Sequence, residues 1–350
     1  MIHINNTLTL KKSKTKQSTI KILLSYFLSF IVFGLIILLV ANPAKYTKSI
    51  TSGFLLFANA VFPGLFPFLV LTKLLSSFNI IDKIASYFSK ITKKVFKISG
   101  IASFVFILSA LCGYPMGAKM TADLHQSNKI SDEEAPYIFM LSSVSGPMFI
   151  IGAIGSAMLN NAKAGLIIYI AHIVSALICA YIFCNNKKRK LVLKQQTNKL
   201  PISQININYG QALSDSVYSA TQTIIVVGAY ITIFFMLIDM LIGTHILSPL
   251  EFVFKQLFLF FGINPNVSHG TACAVVEMTR GASEIAKFGT NAITVSLICA
   301  IVSFGGFSII AQSLALGKKS KPKTATFIFY KLCHAIIAFL LCLVFCKILL

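Results

Sequence analysis

The residues able to do chemistry in this chain are few, and they sit where the backbone is interrupted. Ser109-Ala-Leu-Cys-Gly-Tyr-Pro-Met-Gly-Ala-Lys119 closes an apolar run with Gly113, Tyr114, Pro115 and Gly117, and ends on Lys119. Pro115 removes a backbone donor and clashes with the turn before it, while the glycines accept angles other residues avoid. A helix cannot pass smoothly through such a stretch. A second cluster, Val275-Val-Glu-Met-Thr-Arg-Gly-Ala-Ser-Glu284, puts Glu277, Arg280 and Glu284 into another apolar run. Two polar interruptions accompany these: Ser142-Ser-Val-Ser-Gly-Pro147, and Ser303-Phe-Gly-Gly-Phe-Ser308 with Gln312 beyond it. Charges in lipid-grade segments are expensive and usually functional.

The chemistry such groups suit is recognition of a solute or an ion. No nucleophile stands beside a base, and there is no HExxH, P-loop or GxGxxG pattern. An intramembrane hydrolase needs two acids or a Ser/Lys pair at one depth, which Glu277 with Lys119 does not make, so an enzyme is not expected. Arg280 presents a planar fork that can hold a carboxylate with two hydrogen bonds. Lys119 adds a point charge, and broken-helix N-termini add backbone donors and a positive dipole end. Glu277 has two readings, a carrier that takes up a proton or cation in one state and releases it in the other, or an ion pair to Arg280 three residues on. The candidate substrate-binding set is Gly113, Tyr114, Pro115, Gly117, Lys119, Ser143, Ser145, Gly146, Glu277, Thr279, Arg280, Gly281, Ser303, Gly305 and Gly306, with Glu277 the coupling-ion candidate. His172 and His334 sit on apolar helices and read as packing residues. The eight cysteines are scattered without a CxxC pair, so no metal site, disulfide framework or cofactor is expected.

The elements that must position these groups are membrane helices. The 350 residues are 56% hydrophobic and only 12% charged, half the charge of an ordinary soluble domain, and mean hydropathy is +0.81. The expected class is an all-α polytopic membrane protein embedded in a lipid bilayer. A net charge of +21 would suit nucleic acid, but the lysines lie in loops between apolar spans, where they set orientation. No nucleic-acid partner is expected, and a homo-oligomer stays open.

Apolar segments fall near 22–41, 51–72, 100–118, 136–159, 164–184, 217–243, 250–262, 270–288, 292–316 and 325–349. Basic stretches in the N-terminal tail and at 73–99, 185–200 and 317–323 should all be cytoplasmic. Three apolar segments separate 73–99 from 185–200, yet two loops on one side require an even number of crossings. The short 100–118 segment, ending in the Gly/Pro break, is therefore expected to turn back as a re-entrant hairpin, with 119–135 returning. By the same count 250–262 and 270–288 form a second hairpin, entering from the opposite face. About seven transmembrane helices remain. Gly117-Ala118 matches Gly281-Ala282, Ser145-Gly-Pro-Met-Phe149 matches Phe304-Gly-Gly-Phe-Ser308, and His172 matches His334. The division that follows is a basic cytoplasmic tail 1–21, an extra membrane helix 22–41, a first repeat 51–184, a basic linker 185–210 and a second, inverted repeat 211–349. Inverted repeats with broken helices meeting at the midplane characterise secondary transporters.

Cys112-Gly-Tyr-Pro-Met-Gly-Ala-Lys119, Glu277-Met-Thr-Arg-Gly-Ala282 and Ser145-Gly-Pro147 resemble the YlbJ-type (SpoVV) sporulation integral membrane proteins. That family groups with the nucleoside-recognition or gate domain proteins, which are similar to half-domains of concentrative nucleoside transporters. The resemblance covers roughly 50–349 and implies movement of dipicolinic acid, a small organic dianion, from the mother cell across the outer forespore membrane. The nucleoside-transporter kinship implies instead a nucleoside or other neutral solute with a coupling cation. A third expectation is a sporulation membrane scaffold or assembly factor that transports nothing.

Overall fold

The computed structural model describes residues 22–23, 25–77, 80–184 and 209–350. The tail 1–21 and residues 185–208 of the basic linker lie outside them. Every regular element among the described residues is a helix, which is the one architecture besides a closed barrel that satisfies its backbone inside lipid. Five helices are long and apolar enough to cross a membrane: Pro43–Leu71, Ala162–Cys184, Tyr209–Gly243, Ala292–Leu316 and Thr324–Leu349. Two of the expected seven crossings fall short of that length. Ser25–Ala41 is a shorter apolar helix with most of its side chains exposed, and 135–158 is interrupted.

Pro63 and Pro67 do not break the first of these crossings. The turn over Phe57–Val61 widens to the π form just ahead of Pro63, and the helix runs on through Pro67 to Ser77. A π turn gives the backbone the slack a proline ring demands. The basic stretch 73–99 is largely helical, Ile80–Phe96. Its Tyr87, Phe88 and Ile91 are exposed beside exposed Lys90, Lys93 and Lys94, the make-up of a helix that lies in the plane of a membrane surface. It meets Ile101–Cys112 at 104°.

Two helix pairs fold back on themselves. In the first, Ile101–Cys112 ends at Gly113 and Met116–Gln126 returns. A Cβ on Gly117 would lie 2.6 Å from Ser109 Oγ, so only glycine lets the arms close at that level. In the second, Val267–Val276 turns at Glu277 into Met278–Ala286. A Cβ on Gly281 would lie 2.6 Å from Ala274 N, and one on Gly270 would lie 2.7 Å from Ile285 Cγ1. That register is antiparallel about Glu277. The expected pairing of 250–262 with 270–288 is therefore corrected: Ser248–Phe260 is a separate helix, and both arms of the hairpin come from 267–286. Valine at Gly281 should prevent the arms from closing, and alanine should cost roughly 1–3 kcal/mol through overpacking. A melting series of purified variants checks this, with Gly34→Ala as control because no heavy atom lies within 4 Å of its Cβ position.

Two further helices are broken in the middle. Ala135–Leu141 gives way to an unwound stretch before Met148–Met158, and Ala292–Phe304 is interrupted by Gly305, in the left-handed conformation, before Gly306–Leu316. The order of a long helix, a shorter amphipathic helix, a folded-back pair, a broken helix and a long helix thus occurs twice, over 43–184 and over 209–349. The main core cluster, including Ile154, Ile168, Ala274 and Ile298, joins the two halves.

Candidate functional site

The four interruptions meet at one place. A Cβ on Gly113, whose φ is +77°, would lie 2.6 Å from Gly146 N, so the first hairpin tip touches the first broken helix backbone to backbone. Gly306, at φ +70°, brings the second broken helix equally near to the second hairpin, 2.8 Å from Ala274 O by the same measure. Side chains satisfy the backbone groups these breaks leave over. The Ser109 hydroxyl donates to Ser142 O in a very short bond. Ser145 N–H donates to His172 Nε2 at 2.9 Å. The His172 ring proton is then on Nδ1, which faces Ser303 Oγ at 2.8 Å, so one fully buried imidazole ties the first break to the second. His334 donates from Nε2 to His172 O at 3.1 Å, and the two rings lie 4.9 Å apart. Both histidines are fully buried, and His334 Nδ1 has no hydrogen-bond partner among the described residues.

Between the hairpin tips lies a cavity of about 40 Å³, room for a few waters only. Of the candidate set, Gly113, Tyr114, Ser145, Gly146, Glu277 and Thr279 line it. Ser308 and Gln312 join them from the second broken helix, and Val227 and Ile231 close it from the long helix 209–243. Those two apolar residues carried no signal in the sequence. Just before them on the same helix, Thr221 donates to Val217 O at 2.8 Å and Thr223 to Ser219 O at 2.8 Å.

Pro115, Gly117, Lys119, Ser143, Arg280, Gly281, Ser303, Gly305 and Gly306 are not among the lining residues. Lys119 is exposed. Arg280 turns towards the long helix 209–243. Its guanidinium pairs with Glu284 at 3.2 Å and Asp239 at 3.6 Å and lies 4.9 Å from the centre of the Phe235 ring. Asp239 also accepts a very short hydrogen bond from Ser49. The Glu277–Arg280 ion pair is replaced by a different contact: Glu277 Oε2 accepts from Arg280 N–H at 2.8 Å and so caps Met278–Ala286. The carboxylate is 2% exposed and takes its place at a helix N-terminus, where the dipole favours it.

Lys331 was missed in the sequence altogether. It is fully buried on the last helix, and its Nζ donates to Tyr114 Oη at 2.6 Å and to Ser143 O at 3.1 Å. The Tyr114 hydroxyl passes the chain on to Val302 O at 3.3 Å. Lys331 lies inside the apolar segment 325–349, where a charge is expensive, but nothing along the chain names its partners.

No family model matches the chain. In sequence it is 24% identical over 325 residues to the sporulation integral membrane protein YlbJ of Bacillus subtilis (strain 168), covering 89% of this chain and 79% of that protein. In structure it is similar to CNTnw, a concentrative nucleoside transporter, in an inward-facing substrate-bound state, with TM-score 0.55 and 15% identity over 81% of this chain and 76% of that one. An intermediate state of a CNTnw variant gives TM-score 0.52 and 14% identity over 86% and 83%. The chain is thus an all-α polytopic membrane protein with a transporter-like fold, similar along most of its length to a sporulation membrane protein.

Proposed function

We propose that this chain is a secondary carrier that moves a small organic acid, dipicolinate first among candidates, across the outer forespore membrane during sporulation. One observation carries the reading: both folded-back pairs and both broken helices contribute residues to one cavity, through Tyr114, Ser145, Glu277 and Ser308. Half-helix N-termini carry a positive dipole end that favours an anion, and discontinuous helices aimed at a central site are the mark of alternating-access carriers. The twice-occurring element order supports an inverted repeat, with the hairpins entering the membrane from opposite faces. At about 40 Å³ the cavity is collapsed, so a solute enters when the hairpin tips part. The similarity to YlbJ supports the sporulation setting.

A second reading, a neutral solute such as a nucleoside, is favoured by Glu277 in the lining and by the lack of Lys or Arg there among the described residues. Uptake by proteoliposomes of labelled dipicolinate beside labelled uridine decides between them. Saturable dipicolinate uptake that excess uridine leaves unchanged supports the acid carrier. Uridine uptake without dipicolinate uptake moves the assignment to the second reading. Neither, from well-inserted protein, speaks for the scaffold. Arg280→Ala is a poor probe here, because Arg280 belongs to the Asp239–Glu284 network and its loss would read as stability.

A further inference from the structure

We propose that the Lys331 ammonium is a resident cation, holding the place at the first helix break that a dissociable coupling cation would take, so that the carrier runs without sodium. This rests on the carrier reading above and names its coupling.

In carriers with broken helices, carbonyls of the unwound stretch and C-terminal ends of half-helices coordinate the coupling cation. The matching stretch here is Ser142–Pro147, at the C-terminal end of Ala135–Leu141. One of its carbonyls, Ser143 O, takes the Lys331 ammonium at 3.1 Å. The second ligand is Tyr114 Oη at 2.6 Å, from the tip of the first hairpin. The aliphatic stem passes the second break as well, with Lys331 Cε 3.9 Å from where a Cβ on Gly305 would stand. One side chain therefore bridges the hairpin tip and both broken helices, which is what an ion bound between those elements does.

The surroundings are those of a cation site and not of an ion pair. Among the described residues no carboxylate comes within 4.0 Å of Lys331 Nζ. The partners are a carbonyl and a phenol, the neutral oxygen donors a hard cation takes. Ser143 Oγ, on the 4% exposed residue whose carbonyl takes the ammonium, has no hydrogen-bond partner among the described residues. A fully buried lysine without a counter-ion is costly. Its cost is offset if it permanently replaces a cation that the hairpin would otherwise have to recruit at every cycle. Unlike a free ion it cannot leave, so it closes the site to sodium by charge and by volume.

The test compares purified full-length protein in sodium chloride and in N-methylglucamine chloride at equal ionic strength and pH, by melting temperature and by dipicolinate uptake into proteoliposomes. A true coupling ion changes solute affinity about 5- to 150-fold. The wild type is expected to differ between the two salts by less than about twofold in uptake and to melt at one temperature. Lys331→Met should melt lower than the wild type in both salts. Lys331→Ala, which leaves room for an ion, should melt higher in sodium than in N-methylglucamine, and Lys331→Arg should keep the wild-type insensitivity. Sodium that stabilises the wild type, or raises its uptake about fivefold or more, overturns the proposal without any variant. So does a Lys331→Met protein that melts like the wild type. If no dipicolinate enters in either salt the substrate assignment fails, while the melting comparison still decides whether Lys331 stands in for an ion.

Discussion

Alanine at Gly113 or at Gly306 is expected to abolish uptake and to lower the melting temperature more than alanine at any other positive-φ glycine among the described residues. Gly113 has φ +77° and Gly306 φ +70°, so an L-residue at either is strained before it meets a neighbour. That strain costs about 1–2 kcal/mol. The added methyl would then stand 2.6 Å from Gly146 N in the first case and 2.8 Å from Ala274 O in the second. Both obstacles are backbone and cannot rotate away, so overpacking adds roughly 1–3 kcal/mol. Gly262, at φ +66°, and Gly289, at φ +86°, also have positive φ but open space around the Cβ position. Alanine there separates the two costs, and should show only the first. Melting curves of the four variants in one detergent, with uptake alongside, make the comparison. Should Gly113→Ala melt with Gly262→Ala, the hairpin tip and the first broken helix are not in backbone contact.

The second large effect is expected at Glu277, where two substitutions separate two roles. The carboxylate caps Met278–Ala286 by accepting from Arg280 N–H at 2.8 Å, and it also lines the cavity. Glutamine keeps an acceptor oxygen for the cap but cannot exchange a proton or hold a charge. Glu277→Gln should therefore fold and melt close to wild type, yet lose uphill accumulation of solute at least about tenfold, in keeping with an essential ionisable group in a membrane. Exchange of labelled for unlabelled solute across the membrane should survive, because exchange needs binding and reorientation but no net coupling. Glu277→Ala loses the cap too, which costs about 1 kcal/mol, and should melt lower. If Glu277→Gln accumulates solute as well as wild type, Glu277 is a helix cap and does not carry the coupling.

What the sequence by itself determined is whatever acts locally. Hydropathy and the scarcity of charge place the chain in a bilayer, because a spanning helix must be apolar along its own length. The first break was legible because Gly113 and Pro115 impose it through their own backbones, and the first hairpin lies where they put it. The interruptions at Ser142–Pro147 and Gly305–Gly306 were legible for the same reason. Tertiary structure alone decided the rest. The second hairpin turns at Glu277, which is neither glycine nor proline. Its extended backbone, φ −144° and ψ 121°, is held by its own cap and by the Gly281–Ala274 approach, so the turn was sought too early, between 250–262 and 270–288. The sign of Arg280 could be read but not its partner: Asp239 comes from another helix, and their meeting offsets the charge of a guanidinium that would otherwise be stranded in lipid. Lys331 shows the same limit most plainly. A lysine inside the apolar segment 325–349 is unusual along the chain, but its partners cannot be read there. Only packing of the last helix against the first break carries its ammonium to Ser143 O and Tyr114, because charge is a property of one residue and its compensation belongs to the neighbours that folding supplies.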